Sequence, residues 1–250
     1  MCIPHGRWMT SRSLSLLLIL ASLATTAACR RESGGERDAR APGNAVTATP
    51  SPAPDTARTA ANTVPASVEA IGHHAENIYD MAKLGDWARA RAATDSLRAA
   101  IDALPAPATA DAGREAVSTT FGELDRAVAR KDRTAALRAS NRLTELGAHL
   151  SAAYQPQVPS EVTLLDYYGR ELEIWAAAGD RAKLRETASA MRRTWDALRP
   201  RLDARGGSAE AAHFEALVAQ VEAAATPRDY ARLATPVLDA VDSLEQVFKR

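Results

Sequence analysis

The chain has almost no cysteine, and its two cysteines both lie near the start. Cys2 and Cys29 are the only thiols among 250 residues, so residues 30–250 contain none. A folded part without thiols has no disulfide framework, no thiolate metal site and no cysteine nucleophile. The isolated position of Cys29 is therefore informative.

Aromatic residues are scarce, and neither sign of charge is in excess. Aromatic side chains make up 5% of the chain, while Lys+Arg and Asp+Glu number 31 each. This balance argues against a nucleic-acid partner, which calls for a basic surface. Abundant alanine and charge, without strand-like runs of Val, Ile and Thr, favour helices. The composition therefore predicts an all-α fold.

The sequence also lacks the short motifs of common enzyme classes. It contains no phosphate-binding loop, no Gly-x-Ser-x-Gly elbow and no His-Glu-x-x-His motif. We therefore expect a non-catalytic protein without a cofactor.

Residues 1–28 have the pattern of a secretory signal peptide. Arg7 and Arg12 form a basic start, and an apolar run from Leu14 to Ala24 follows. That run is too short for a membrane span, which needs about 20 residues. Met9 is an alternative start, because residues 9–29 alone make a compact leader.

The end of this segment, Thr26-Ala27-Ala28-Cys29, resembles the lipobox of bacterial lipoproteins. Thr26 departs from the leucine that is usual at that position. The resemblance implies that Cys29 is lipidated and becomes the mature N-terminus. Arg30, where an aspartate would retain the protein at the inner membrane, implies an outer-membrane lipoprotein that faces the periplasm. The alternative is ordinary cleavage and a soluble periplasmic protein.

Residues 29–65 then form a segment rich in Pro, Ala, Thr and Ser, with few large apolar side chains. Such a segment buries too little apolar surface to offset the entropy of ordering it. We expect a disordered tether after the lipidated cysteine, reaching on the order of 30–40 Å.

Residues 66–250 show helical periodicity in eight segments separated by Gly-Asp, Lys-Asp or proline breaks. Short and long connections alternate, which groups the segments into four antiparallel hairpins. Apolar residues recur about every 47 residues, counted from Asp86, Asp132 and Asp180. Two architectures stay open: an array of helical repeats, or two four-helix bundles in tandem.

A metal site is the first functional hypothesis. His73 and Glu76 form a His-x-x-Glu motif that resembles one in the imelysin group of exported helical proteins, without that group's wider glycine-led pattern. Glu210 and His213 form Glu-x-x-His, a spacing that di-metal bundles use. The candidate ligands are His74, Glu210 and His213. Helical projection turns His73, Glu76 and His149 away from the apolar stripes of their helices, which favours solvated histidines over a shared metal site.

The second hypothesis is a partner-binding surface on the helix from Ser160 to Trp175. Gly169 inside a helix costs about 1 kcal/mol against alanine, so close packing or a ligand explains it. Asp166 and Arg170 are spaced for an i,i+4 ion pair, and Tyr167 points off the apolar stripe. The alternative is tight helix packing at Gly169 beside a surface ion pair.

These observations predict a membrane-anchored, non-catalytic binding or scaffolding module in the periplasm. Its partners are the membrane, through the N-terminal lipid, and a protein whose identity the sequence does not reveal. The alternative is a helical bundle that handles a metal or a small ligand.

Overall fold

A computed structural model describes residues 63–105 and 111–250. The predicted signal peptide, Cys29 and residues 30–62 of the predicted tether lie outside the described residues. Within the described ranges the fold is all-α, as predicted, with eight helices. These are α1 (Ala66–Leu84), α2 (Trp87–Asp102), α3 (Asp111–Arg130), α4 (Arg133–Ala152), α5 (Ser160–Ala178), α6 (Arg181–Asp203), α7 (Ser208–Ala223) and α8 (Pro227–Lys249).

Local signals set the helix ends where the sequence predicts them. Gly85 and Gly179 end α1 and α5 in the left-handed conformation, with φ of 78° and 71°. Each is followed by an aspartate that caps the next helix. Asp86 accepts a hydrogen bond from the Arg89 backbone N–H, and Asp180 accepts two, from the first turn of α6.

The last helix begins with a complete capping box. The Thr226 side chain accepts from the Asp229 backbone N–H, and the Asp229 carboxylate accepts from the Thr226 backbone N–H. Pro227 takes the first helical turn, where its missing N–H costs nothing.

The apolar stripes form two separate cores, one for each half of the chain. The first core is shared by the four helices α1, α2, α3 and α4, and its buried side chains include Ile71, Ile78, Leu97, Leu124 and Leu143. The second core is shared by the four helices α5, α6, α7 and α8, and its buried side chains include Leu172, Leu184, Met191, Trp195 and Phe214. Of the two architectures that the sequence leaves open, the structure has the tandem four-helix bundle.

Many positions of the two bundles correspond at a spacing of 94 residues. Gly85 and Gly179 end equivalent helices, and Asp132 and Thr226 cap equivalent helices, each pair 94 residues apart. The same spacing relates buried core positions: Val68 to Val162, Leu104 to Leu198, Leu143 to Val237 and Leu150 to Leu244. These matches relate one bundle to the other, and their spacing is twice the predicted hairpin period.

The bundles meet along α1 and α4 of the first and α5 and α8 of the second. We call this contact zone the seam. The folded part begins slightly before the predicted boundary at 66, because Val64 is already buried in the first core. None of the helices in the described ranges combines the length and hydropathy that a membrane crossing requires.

Candidate functional site

The centre of the seam contains an ion pair that is largely withdrawn from water. Arg170 Nη2 lies 3.1 Å from Asp166 Oδ2, which confirms the pairing expected from their spacing. Arg170 is only 8% exposed, and its guanidinium lies 5.0 Å from the centre of the Tyr79 ring on α1. The ion pair lacks hydrogen-bond geometry, and Arg170 Nη1 has no hydrogen-bond partner among the described residues. Such incomplete pairing is costly in a buried position.

Next to this pair, Glu173 of α5 joins the two bundles to each other. Tyr79 Oη donates to one Glu173 oxygen at 2.9 Å, and Lys83 Nζ lies 2.7 Å from both. Burial, together with the Glu173 carboxylate, raises the pKa of Tyr79 well above its usual range, so the phenol stays a donor. The contact spans 94 residues of sequence and fixes α1 against α5.

A second polar group links α4 to α5. Asn141 Nδ2 donates to Glu171 Oε1 at 2.9 Å and to the Tyr167 carbonyl at 3.2 Å. Trp175 Nε1 donates to the other Glu171 oxygen, and Arg138 stacks 4.6 Å from the Trp175 ring centre. Burial raises the pKa of Glu171, against the effect of these hydrogen bonds.

Two carboxyls in the seam titrate near neutral pH. Burial raises the pKa of Asp166 to about 6, although Arg170 opposes the shift. Burial, and next the Asp166 carboxylate, raises the pKa of Glu76 on α1 to about 7. Burial is the main cause of both shifts, and neighbouring carboxylates from α1, α5 and α8 add to it against the opposing effect of Arg170.

At one end, the seam opens into a cavity of about 570 Å³, which we call the apolar seam cavity. All four seam helices line it, and most of its wall is hydrocarbon from Leu137, Ile174, Ala177, Ala231 and the Tyr79 ring. Lys83 and Arg228 bring positive charge to it. Its volume lies in the range of small-molecule sites, roughly 300–1,000 Å³.

At the other end lies a cavity of about 660 Å³, the polar seam cavity. The amino-terminal half of α1, the end of α4, the 155–158 loop, the start of α5 and the end of α8 enclose it. Its lining includes Glu69, His73, Glu76, Glu245 and Lys249. Gly72 and Gly147 also line it, where α1 and α4 approach closely.

The four residues predicted as a partner surface all lie on α5, within or beside the seam. Gly169 is packed against α8, where an added Cβ would lie 2.6 Å from Leu238 Cδ2. Tight packing therefore accounts for this glycine. Asp166 and Arg170 face α1 and α8, and Tyr167 is half-buried beside α4. The structure thus uses the predicted surface for contacts within the chain.

The three candidate metal ligands do not come together. His74 is half-buried on α1 in the first bundle, whereas Glu210 and His213 lie on α7 in the second. Glu210 pairs with Arg250 at 2.9 Å, and His213 is exposed. Within residues 63–105 and 111–250, no group of three His, Cys, Asp or Glu side chains is arranged to hold a metal ion.

The sequence interpretation missed Tyr79, Asn141, Glu171 and Glu173, and it placed Glu76 away from the core stripe. These residues lie on a second face of helices that also pack into a bundle core. One available signal was the apolar pair Ile78 and Tyr79, because two adjacent buried side chains indicate a buried face wider than a single stripe.

Comparison with protein-family models, curated proteins and solved structures finds no match to this chain. The function must therefore be inferred from its own residues and geometry.

Proposed function

We propose that this chain is a non-catalytic binding protein, exported and held at the membrane through Cys29, that takes its ligand in the apolar seam cavity. The observation that carries the proposal is the seam itself. Two bundles with complete cores of their own meet through polar contacts and leave an apolar cavity of about 570 Å³ at one mouth. Ligand sites occur preferentially at such interfaces between compact units.

The charges around the cavity favour a ligand with an acidic group. Glu173 is already satisfied by Tyr79 and Lys83. The Arg228 side chain makes no hydrogen bond or ion pair with any described residue. The uncompensated charge at the apolar wall is therefore positive. An amphipathic molecule with an apolar body and one acid group would complement both features.

The lining supports binding rather than chemistry. It includes no histidine and no cysteine, so a hydroxyl or thiol activated by a histidine is missing from this set of residues. Burial, together with Glu173, raises the pKa of Tyr79 well above its usual range, so its hydroxyl keeps its proton. The export and lipidation part of the proposal rests on the leader pattern and on the absence of cysteine beyond residue 29.

A fluorescent probe of the right chemistry tests the cavity. We expect 1-anilinonaphthalene-8-sulfonate to bind the folded full chain saturably at one site, because it combines aromatic rings with a single anionic group. Ala177→Trp should fill the cavity and abolish the signal, while Arg228→Gln should weaken binding several-fold. Ala99→Trp, at an exposed position on α2, serves as the matched control.

The near-ultraviolet circular dichroism of each variant should match that of the parent chain, which separates cavity binding from dye binding to a loosened core. Probe fluorescence that does not saturate, or that survives Ala177→Trp unchanged, would refute the proposal.

A further inference from the structure

The polar seam cavity contains a carboxyl group that the fold leaves without a partner. The Glu76 side chain lines the cavity, and its carboxyl makes no hydrogen bond or ion pair with any described residue. The side chain is half-buried, and this partial burial raises the pKa of the carboxyl to about 7. A carboxyl without a protein partner at a cavity wall leaves its acceptor oxygens to solvent or to a ligand in the cavity.

The charged groups that face Glu76 come from three helices. Asp166 and Arg170 lie on α5, Glu245 on α8 and Asp80 on α1 itself. Arg170 is the one cation among them, and it is already paired with Asp166. The surroundings of Glu76 are therefore net negative.

The lining of the cavity shows the same imbalance. Lys249 is a cation in the wall, and it pairs with Glu245. His73 also lines the cavity, and its Nε2 lies 3.0 Å from Asn77 Nδ2. Glu69 has no ion pair with a described residue and lies seven positions before Glu76 on the same side of α1. Seven residues of helix rise about 10 Å, so the two carboxyls are spread along the cavity. Carboxyls spread in this way suit an elongated cation better than a metal ion, which needs ligands converging on one point.

We propose that the polar seam cavity binds a small linear amine, with one ammonium group against Glu76 and room for a second towards Glu69. The cavity of about 660 Å³ accommodates such a molecule. The hydroxyls of Ser151 and Thr163 in the wall can accept further hydrogen bonds from the N–H groups of the amine. This site lies at the opposite end of the seam from the apolar seam cavity, and the two cavities share no lining residue. Each proposal can therefore be tested, and refuted, without affecting the other.

Binding of an ammonium group should release protons. The cation favours the ionised form of Glu76, which is partly protonated near pH 7 in the free protein. We expect release of about half a proton at pH 7, and an affinity about tenfold weaker at pH 6 than at pH 8.

Isothermal titration calorimetry of the full chain with 1,4-diaminobutane, in two buffers of different ionisation heat, measures both quantities. The expected result is saturable binding with a buffer-dependent enthalpy that reports proton release. Glu76→Gln should remove the proton release and weaken binding at pH 8 at least tenfold. Glu115→Gln, an exposed acid on α3, is the matched control and should change neither.

A second variant tests the cavity while leaving Glu76 in place, so the proposal stays testable if Glu76→Gln does not fold. An added Cβ at Gly72 meets nothing within 4 Å, so Gly72→Leu should fill the cavity and abolish binding in a folded chain. Equal heats for uncharged 1,4-butanediol, an undiminished response in both variants, or no binding at pH 8 would overturn the proposal. Dye binding at the apolar seam cavity should be unaffected throughout.

Discussion

Two glycines in the seam helices have opposite surroundings. Gly169 has no room for a methyl group, since an added Cβ would lie 2.6 Å from Leu238 Cδ2 and 3.4 Å from Val237 Cγ1. Gly72 faces open space at the polar seam cavity. The sequence shows only that both interrupt a helix, because the reason for each glycine lies on another helix.

Gly169→Ala should destabilise the chain by about 1–3 kcal/mol, since α5 and α8 must separate or Leu238 must move. Urea unfolding measures this loss. The double variant Gly169→Ala with Leu238→Ala should cost less than the sum of the two single changes, because the second removes the clash. Strictly additive losses would contradict the packing explanation.

Gly72→Ala is the matched control for that experiment. It introduces the same methyl group into a helix without a steric neighbour. We expect it to stabilise the chain by up to about 1 kcal/mol, the difference in helix propensity.

At the scale of single helices, the sequence was a good guide. Glycine stops, aspartate caps and the Thr226 capping box lie where the pattern predicts them. These signals act within one turn of helix, so they need no knowledge of the partner helices. The sequence also predicted the apolar stripes of α3 and α6, which lie outside the seam, and of α8, whose stripe faces the core of its own bundle.

The cap of α6 offers a test at this scale. The Asp180 side chain accepts hydrogen bonds from the backbone N–H groups of Ala182 and Lys183, at 3.1 and 3.0 Å. Asp180→Ala should cost about 1 kcal/mol in urea unfolding, whereas Asp180→Asn should cost much less because it preserves the acceptor. Equal losses for the two variants would show that charge, not capping, is what matters.

At the scale of the whole molecule, the buried carboxyls of the seam should make stability depend on pH. Glu76 and Asp166 have pKa values of about 7 and 6 in the folded chain, against ordinary values of 4.5 and 3.8. The folded chain therefore holds more protons than the unfolded chain between these limits. The stabilisation that these bound protons provide is complete when the pH is below the ordinary pKa values. It is lost as the pH rises through the folded-chain pKa values of about 6 for Asp166 and about 7 for Glu76.

We therefore expect the melting temperature to rise when the pH is lowered from 8 to 6. Glu76→Gln should be more stable than the parent at pH 8 and should show a flatter pH dependence. His74, whose pKa burial lowers, acts in the opposite direction near pH 6, so the comparison with Glu76→Gln is the decisive one. A parent chain and variant with identical pH profiles would contradict the assignment.

The predicted tether and lipid anchor can also be tested at this scale. In a bacterial host, Cys29→Ser should abolish the incorporation of labelled palmitate and release the chain from the membrane fraction. Cys2→Ser is the control, and it should leave both properties unchanged. Labelling that persists in Cys29→Ser would refute the lipoprotein prediction.

The sequence by itself determined the all-α class, most of the helix starts and many residues of both cores, although α6 continues through Pro200 to Asp203. Those features follow from periodicity and from capping groups within a few residues of one another. Tertiary structure alone decided that four hairpins pair into two bundles and that α1, α4, α5 and α8 form a seam. Tyr79 and Glu173 are 94 residues apart, and no local pattern links them. A helix that packs on two sides carries polar residues on its second face, so its sequence resembles that of an ordinary helix with one solvated side.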